Sequence, residues 1–435
     1  MQDGPDPLAG LSAALAEIRG AGLGRHMRLL EKAQAARCVV DGREVLNFSS
    51  NDYLGLAADP RVRAAALEGI AAHGVGAGSA RLIAGTFPPH RALEEALAAW
   101  KGTESALLFS SGYHANLGIL TALAGEGDVI FSDALNHASI IDGCRLSRAR
   151  TQVYAHRDAA ALECGLAAAR RAGAGRLVAV TDTVFGMDGT EAPLREIAAA
   201  ARAHGALVVV DEAHAGGVLG PRGAGLAAAH ALGADAVHVQ MGTLGKALGA
   251  AGAFVAGART LVDYLVHRAR TFIFTTALPP ATAAAAAAAL RIAASPEGDR
   301  RRAHLAALAQ RFRAGLTARG LRTTAPEGSA APIVPVLVGD PQRAMRACEA
   351  LLERRVWAQA IRPPTVPPGT ERLRFAFTAG QTVADIDEAL AALDAAHDLV
   401  RGGPLASALD AAHDLVRDGP AASSPGATRK APTAR

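Results

Sequence analysis

Short apolar runs alternate with alanine-rich helical stretches between about residues 105 and 256, and this alternation restricts the chain to few folds. Apolar runs without polar alternation are typical of strands buried on both faces, and the helices between them provide the cover. The pattern therefore predicts an α/β fold in which a mostly parallel sheet is sandwiched by helices. The runs occupy residues 106–109, 129–131, 177–180, 207–210, 236–241 and 253–256.

A change of pattern after about residue 295 indicates a second, smaller unit. A helix is followed there by a strand, another helix and a late alternating strand at 372–377, which predicts an α+β C-terminal domain. The predicted units are an N-terminal helical arm (1–48), a large domain (49–290), a small C-terminal domain (291–401) and a C-terminal extension (402–435).

The C-terminal extension contains a repeat. The ten residues 392–401 (Ala-Leu-Asp-Ala-Ala-His-Asp-Leu-Val-Arg) recur unchanged at 408–417. One duplicated helix is too short to build a solenoid, in which several repeats must stack. We therefore interpret the extension as a copied terminal helix followed by a disordered tail from about residue 418.

Composition argues against several kinds of partner. The net charge is only +4 and the arginines are scattered along the chain, so we expect no nucleic-acid partner. The longest apolar run, 281–290, is mostly alanine and about half as long as a membrane span, so no membrane partner is expected. The four cysteines are far apart and form no CxxC pair. We therefore expect no metal site and a cytoplasmic protein.

Lysine is rare in this chain, and one lysine has an unusual position. Only four of the 45 cationic residues are lysines, and Lys246 lies in the glycine-rich segment 241–249 directly after an apolar run. A desolvated lysine amine can lose its proton and attack a carbonyl, whereas arginine stays protonated. Lys246 is therefore predicted to form a Schiff base with a carbonyl cofactor or substrate. Thr243, three residues earlier, places a hydroxyl where it can bind a phosphate of the same cofactor.

Polar residues also follow other predicted strands, at the sheet edge where ligands bind in such folds. The carboxylate of Asp211 can pair with a protonated pyridine nitrogen, or it can cap the next helix. His214 lies three residues further on, where it can contact the phenolic oxygen of such a ring. Gly112 and Tyr113 lie between a strand and a helix, where free N–H groups suit a phosphate. His137 follows another strand and can stack on an aromatic ring.

Together with longer motifs, these residues resemble the α-oxoamine synthases, which are pyridoxal-phosphate (PLP) enzymes of the aspartate-aminotransferase fold. The resemblance covers about residues 20–400 and implies fold type I of the PLP-dependent transferases. The motifs are Asn47-Phe-Ser-Ser-Asn-Asp-Tyr-Leu-Gly55, Gly78-Ser-Ala-Arg81, Asp211-Glu-Ala-His214, Thr243-Leu-Gly-Lys246, Phe274-Thr-Thr-Ala-Leu-Pro-Pro280 and Gly369-Thr-Glu-Arg-Leu-Arg374.

The resemblance implies a role for each matching residue. Lys246, His137 and Asp211 are expected to be catalytic. Thr276 is expected to reach the phosphate of a neighbouring subunit, which implies a homodimer with shared active sites. The cofactor-binding residues are expected to be Gly112, Tyr113, His137, Asp211, His214, Thr243, Lys246 and Thr276. The substrate-binding residues are expected to be Arg25, Asn51, Arg362, Thr365 and Arg374.

Two positions depart from the family pattern. Gly186 stands where the family usually has serine, so it cannot donate a side-chain hydrogen bond to the ring oxygen of the cofactor. His214 is then expected to contribute more to binding that oxygen. Ala277 stands where a serine often follows the threonine that crosses the dimer. Strand alternation places Arg372 and Arg374 on the same side of a strand, so the choice of Arg374 rests on the resemblance alone.

The segment 360–367 (Ala-Ile-Arg-Pro-Pro-Thr-Val-Pro) favours one reaction within the family. It implies condensation of L-alanine with a pimeloyl thioester, carried by CoA or a carrier protein, with loss of carbon dioxide, in biotin biosynthesis. One alternative is the sibling reaction of glycine with acetyl-CoA or succinyl-CoA. The others are an ordinary aminotransferase and a catalytically silent partner subunit. The presence of Lys246, Asp211, His137 and His214 together argues against the silent subunit.

Overall fold

Three sheets organise the computed structural model, which describes residues 8–401. The strands are β1 (Arg37–Val40), β2 (Arg43–Asn47), β3 (Ser105–Phe109), β4 (Val129–Asp133), β5 (Arg150–Tyr154), β6 (Leu177–Asp182), β7 (Leu207–Asp211), β8 (Val239–Thr243), β9 (Ala253–Gly257), β10 (Ile333–Leu337), β11 (Val356–Trp357), β12 (Gln359–Ile361) and β13 (Arg372–Ala376). The largest sheet has seven strands in the order β3-β9-β8-β7-β6-β4-β5. β9 runs antiparallel to both of its neighbours and the other four pairs of adjacent strands are parallel, which confirms the predicted mostly parallel sheet.

Each of the six predicted apolar runs overlaps a strand of this large sheet, and β5 is the strand that the pattern missed. It lies at the edge of the sheet, and Arg150, Thr151 and Val153 are exposed. An edge strand with solvent beside it does not require a continuous apolar run, so the sequence carries no such signal there.

Helices cover both faces of the large sheet. The helices are α1 (Ala9–Gly20), α2 (Pro60–His73), α3 (Pro88–Lys101), α4 (Gly112–Leu123), α5 (Ala138–Ser147), α6 (Ala159–Arg171), α7 (Leu194–Ala203), α8 (Leu226–Ala229), α9 (Arg259–Arg268), α10 (Arg270–Ile273), α11 (Pro280–Ala293), α12 (Pro296–Ala318), α13 (Pro341–Glu353), α14 (Val383–Ala395) and α15 (His397–Val400). Leu107 and Phe109 of β3 join a core cluster with α4, α5 and α9, whereas Ala106 and Leu108 join the opposite cluster with α3, α6 and α11. Between residues 8 and 401, none of the helices has the length and apolar character needed to cross a bilayer.

The smaller unit combines both ends of the described chain. Its antiparallel sheet has the order β10-β13-β12, and β2 from the N-terminal segment pairs in parallel with β11. Phe48 follows β2 and packs against Phe375 of β13, with ring centroids 5.4 Å apart. Phe312 of α12 lies 4.7 Å from the same ring. The domain limits given above stay a prediction, whereas the α+β character of this unit is observed.

The first copy of the C-terminal repeat packs into this smaller unit. Leu393 in α14 and Val400 in α15 are almost completely buried, and Arg319 forms a salt bridge with Asp394 at 2.7 Å. The predicted second copy and tail, residues 402–435, lie outside the described residues.

The repeat allows a matched test of packing. Leu393→Ala is expected to lower the free energy of unfolding by about 2–5 kcal/mol, because it leaves a cavity in a filled core. The equivalent change in the second copy, Leu409→Ala, is expected to have little effect, because the first copy already fills that part of the core. Thermal unfolding of both variants measures the difference. Equal losses of stability would contradict this assignment.

Candidate active site

The carboxyl ends of β6, β7 and β8 bring polar residues to one edge of the large sheet. The register places Asp182 beside Asp211, and Asp211 beside Met241. The loop after β8 then returns Lys246 to this edge, where it contacts His214. We refer to Lys246, His214, Asp211, His137, Asn51 and Arg374 as the Lys246 cluster.

Lys246 and His214 form the central contact of the cluster. Lys246 Nζ lies 2.8 Å from His214 Nε2. Burial lowers the pKa of Lys246 from 10.5 to about 8, with Asp211 opposing and Arg374 assisting the shift. Burial, followed by the charge of Lys246, lowers the pKa of His214 well below its usual value. A neutral imidazole therefore faces an amine that is partly unprotonated near neutral pH, as attack on a carbonyl requires.

Asp211 is a buried carboxylate that forms no salt bridge with any lysine or arginine of residues 8–401. Its side chain accepts hydrogen bonds from Asn116 Nδ2 and from the backbone N–H of Ala213, each at 2.8 Å. No α-helix begins between Asp211 and Leu226, so the second bond closes a turn and does not cap a helix. A buried carboxylate without a cation favours a positively charged ligand group such as a pyridinium nitrogen.

His137 is linked to the carboxylate of Asp211 by hydrogen bonds through Ser139 and Asn116. Its Nδ1 accepts hydrogen bonds from the backbone N–H of Ser139 at 3.2 Å and from Ser139 Oγ at 2.8 Å, and it thereby caps α5. Asn116 Nδ2 donates to both Ser139 Oγ and Asp211 Oδ2 at 2.8 Å, so one amide links the two sites. Burial lowers the pKa of His137. The ring is therefore neutral and held in one orientation.

Asp182 also lies at this edge, and the sequence predicted no site role for it. It is buried, and it accepts a hydrogen bond from the backbone N–H of His137 at 2.8 Å. Burial, together with the charge of Asp211, raises its pKa well above the usual value. Its position at the end of a strand was the available signal. That it lies beside Asp211 follows only from the register of the sheet.

The structure distinguishes two arginines that strand alternation alone could not. Both project from β13 toward the segment 185–188, as expected for residues two apart. Arg372 forms a salt bridge with Asp188 at 2.5 Å, so its charge is compensated. Arg374 donates to Gly186 O at 2.6 Å and to Asn51 Oδ1 at 2.9 Å, and no carboxylate of residues 8–401 contacts it. Arg374 is thus the arginine that is able to bind an anionic substrate group.

Gly186 explains how His214 reaches the lysine. A Cβ atom at position 186 would lie 2.3 Å from His214 Nε2, so the imidazole occupies the space of the absent side chain. The expectation that His214 contacts the ring oxygen of the cofactor without help from a serine stays a prediction. Tyr53, for which the sequence also predicted no site role, lies on the other side of the His214 imidazole with its Oη 2.6 Å from Nδ1.

Three of the predicted substrate residues form a separate group. Arg362 donates to the backbone carbonyls of Gly22 and Gly24, the latter at 3.1 Å, and so holds the chain next to the exposed Arg25. Thr365 is exposed, and its backbone N–H donates to Arg362 O at 3.0 Å. No hydrogen bond within the described range joins this group to the Lys246 cluster. Their substrate roles stay predictions.

Gly112 and Tyr113 lie in the first turn of α4, as predicted. Ser111 caps the helix by accepting from the backbone N–H of His114 at 3.2 Å. The phenol of Tyr113 is exposed and hydrogen-bonds Asp142. The backbone N–H groups of this first turn have no partner within the helix, so they are suited to a phosphate.

Thr243 and Thr276, the two predicted phosphate-binding threonines, differ in their surroundings. Thr243 Oγ1 accepts from Gly245 N–H and donates to Gly252 O, each at 3.2 Å. Binding a phosphate through this hydroxyl requires its proton to turn away from Gly252. Thr276 is exposed, and its backbone pairs with Ala80. It makes no hydrogen bond to the Lys246 cluster among residues 8–401, and its expected role toward a second subunit stays a prediction.

Comparison with known proteins identifies the family. Residues 43–393 match the family Aminotransferase class I and II. An 8-amino-7-oxononanoate synthase of Anaeromyxobacter dehalogenans strain 2CP-1 is 54% identical over 396 residues, covering 91% of this chain and 97% of the relative. The chain belongs to the 8-amino-7-oxononanoate synthase family. A member from Burkholderia thailandensis is 51% identical over 390 residues, covering 89% of this chain and 97% of the relative.

Solved structures support the same fold and cofactor. A serine palmitoyltransferase from S. paucimobilis with bound PLP and myriocin matches with a TM-score of 0.85 and 32% identity, covering 92% of this chain and all of that one. An 8-amino-7-oxononanoate synthase from Francisella tularensis matches with a TM-score of 0.70 and 28% identity, covering 81% and 98%. The chain is an acyltransferase of the PLP-dependent fold, and PLP is its cofactor.

The residues of this structure fit PLP. The amine of Lys246, with its pKa lowered to about 8, suits the aldehyde. The carboxylate of Asp211, without a cationic partner in the described chain, suits the ring nitrogen. The first turn of α4 at Gly112 suits the phosphate. Each residue role stays a prediction.

The lowered pKa of Lys246 predicts a pH dependence of cofactor attachment. Because only the unprotonated amine attacks an aldehyde, uptake of PLP by protein stripped of cofactor should quicken as pH rises through about 8 and level off above it. Borohydride reduction followed by peptide mapping should place the cofactor on Lys246, and Lys246→Ala should prevent attachment. A midpoint near that of an ordinary lysine, or a label on another lysine, would overturn this assignment.

The two arginines of β13 are expected to differ in what their loss affects, one substrate binding and the other stability. Arg374→Gln should weaken binding of the amino-acid substrate at least tenfold, because a charged hydrogen bond contributes about 1.5–3 kcal/mol. Arg372→Gln should lower the free energy of unfolding by about 3–5 kcal/mol, because it leaves Asp188 as an unpaired buried charge. Cofactor absorbance on amino-acid titration and thermal unfolding measure the two effects. The reverse pattern would exchange the assigned roles.

Proposed function

We propose that the enzyme condenses L-alanine with a pimeloyl thioester and releases carbon dioxide, a free thiol and 8-amino-7-oxononanoate, in biotin biosynthesis. The acyl group is carried by CoA or by a carrier protein. The observation that carries this proposal is the 54% identity to a relative named for this product, over 91% of the chain. The sibling reaction of glycine with acetyl-CoA or succinyl-CoA is the alternative that the experiment below distinguishes.

The Lys246 cluster supports the proposed chemistry at the alanine Cα. Bound PLP supplies a ring that withdraws electrons from this carbon. In this proposal the carboxylate of Asp211 pairs with the ring nitrogen. Lys246 Nζ, with a pKa of about 8, is suited to take the Cα proton, and His214 Nε2 holds the amine at 2.8 Å. Arg374 binds the alanine carboxylate in this proposal, because no protein carboxylate within residues 8–401 compensates its charge.

The Arg362 segment supports a long, doubly charged acyl donor. A pimeloyl chain offers several methylenes for apolar burial and a distal carboxylate for a guanidinium, whereas an acetyl group offers neither. Arg362 contacts only backbone carbonyls within the described range, and the exposed Arg25 follows Gly24 in the segment that it holds. Two cations without a carboxylate partner there are suited to the distal carboxylate.

Exposed apolar side chains near Thr276 support a homodimer with shared active sites. Phe274 is 70% exposed and Ile83 is 82% exposed. The backbone pairing of Thr276 with Ala80 brings their two segments together. Large apolar side chains clustered at one place on a surface are typical of an interface. A second copy of the chain seated there would also bring Thr276 toward the neighbouring site.

Cysteine usage supports a cytoplasmic location for the enzyme. Cys38, Cys144, Cys164 and Cys348 are all free thiols in the structure. Free thiols are typical of proteins in a reducing compartment. No nucleic-acid or membrane partner is included in the proposal.

Substrate choice is tested by product analysis. Purified enzyme with L-alanine and pimeloyl-CoA should form a product with the mass of 8-amino-7-oxononanoate, and acetyl-CoA should give no product because it lacks both recognition features. Arg362→Ala should raise the KM for the pimeloyl donor about tenfold or more, while the alanine Kd changes less. Faster turnover of glycine with acetyl-CoA or succinyl-CoA would move the enzyme to the sibling activity. A larger effect of Arg362→Ala on alanine would reassign this arginine.

A further inference from the structure

A continuous chain of hydrogen bonds connects the lysine to the arginine of the Lys246 cluster. From Lys246 Nζ it passes to His214 Nε2 at 2.8 Å, and from His214 Nδ1 to Tyr53 Oη at 2.6 Å. Tyr53 Oη lies 3.2 Å from Asn51 Oδ1, which also accepts from Arg374 Nη2 at 2.9 Å. Tyr53 has no exposed surface, and His214 and Arg374 are buried.

The chemistry of the two ends determines where the protons of this chain lie. Arginine only donates hydrogen bonds, so the oxygen of Asn51, and not its nitrogen, faces Arg374. A protonated Lys246 also only donates, so Nε2 of a neutral His214 must accept. The single imidazole proton is then on Nδ1 and is donated to Tyr53 Oη. The remaining proton, that of the Tyr53 hydroxyl, has Asn51 Oδ1 as its acceptor.

We propose that Tyr53 is a positioning residue, whose hydroxyl keeps the His214 proton on Nδ1 so that Nε2 presents a lone pair to Lys246. Through Asn51, the same hydroxyl connects the imidazole to Arg374. The part that concerns substrate rests on the proposed function, because it assumes that Arg374 binds the amino-acid carboxylate. The part that concerns His214 and Lys246 requires no substrate.

The guanidinium of Arg374 is able to bind a substrate while it keeps its place in this chain of hydrogen bonds. Of its five N–H donors, Nε is used by Gly186 O and one proton of Nη2 by Asn51 Oδ1. A further side-chain hydrogen bond joins the guanidinium to the Tyr53 hydroxyl, whose oxygen has two lone pairs and can accept from both Arg374 and His214. The donors that remain are able to bind a carboxylate. A carboxylate bound there leaves the bond to Asn51 in place, so the tautomer of His214 is held throughout the reaction.

The consequence concerns Lys246 in its protonated form. An Nε2 lone pair stabilises the ammonium, whereas an Nε2–H would point a proton at it. The charged and titratable groups that face Lys246 and His214 are Asp182, Asp211, His137 and Arg374. Arg374 also hydrogen-bonds the Tyr53 hydroxyl, whereas the other three make no hydrogen bond to it within residues 8–401. A change in the behaviour of Lys246 then reports on the hydroxyl.

The test compares Tyr53→Phe with Tyr154→Phe in the full-length protein. Tyr154 is the matched control, because its hydroxyl is also buried but makes no hydrogen bond to the Lys246 cluster within residues 8–401. In Tyr53→Phe the imidazole proton is free to move to Nε2, so the midpoint of the pH dependence of PLP uptake should fall by about one unit. The ¹⁵N spectrum of His214, assigned with His214→Asn, should change from the Nδ1–H toward the Nε2–H tautomer. Tyr154→Phe should change neither.

A second variant reaches the same tautomer by another route. Asn51→Ala removes the acceptor of the Tyr53 proton, which can then turn toward His214 Nδ1 and displace the imidazole proton to Nε2. Asn51→Ala should therefore shift the spectrum and the uptake midpoint in the same direction as Tyr53→Phe. An unchanged tautomer and midpoint in both folded variants would overturn the proposal, as would an equal shift in Tyr154→Phe. Because uptake of PLP uses neither amino acid nor thioester, a wrong substrate assignment would leave these results unaffected.

Discussion

Burial of Lys246 against the neutral ring of His214 is the interaction on which the rest of the site depends. An exposed lysine remains protonated far above neutral pH, and such an ammonium cannot attack an aldehyde. Burial lowers the pKa of this lysine to about 8, and the charge of Arg374 assists. Because β13 of the smaller unit carries Arg374, the reactivity of a residue on the large sheet depends on how the two units pack.

Charge compensation separates structural from functional groups around this contact. Arg372 and Arg374 leave the same strand on the same side, but only Arg372 has an acidic partner. Lys101 is likewise buried against Glu212, which compensates its charge. Asp211 has neither lysine nor arginine in a salt bridge within residues 8–401, and Arg374 has no acid there. Asp211 and Arg374 can therefore each pair with a charged group of a ligand.

Several features of the fold and the site were predictable from the sequence, and the failures have physical causes. The apolar runs predicted the inner strands because burial on both faces requires them, whereas the edge strand β5 has exposed side chains and no such run. The rarity of lysine selected Lys246, but the same rarity did not reveal that Lys101 is buried in an ion pair. No role was predicted for Asp182, Asn116 or Tyr53, because each acts through a neighbour that is distant along the chain.

The sequence by itself determined the class of fold, the reactive lysine and the strand-end acid, because these depend on local pattern and on the intrinsic chemistry of one residue type. Only the tertiary structure decided which groups meet. The sheet register placed Asp182 beside Asp211, and the absent side chain at Gly186 made room for His214 next to Lys246. Hydrogen-bond direction and pKa depend on distances of a few ångströms between segments that are far apart in sequence, and those distances exist only after the chain has folded.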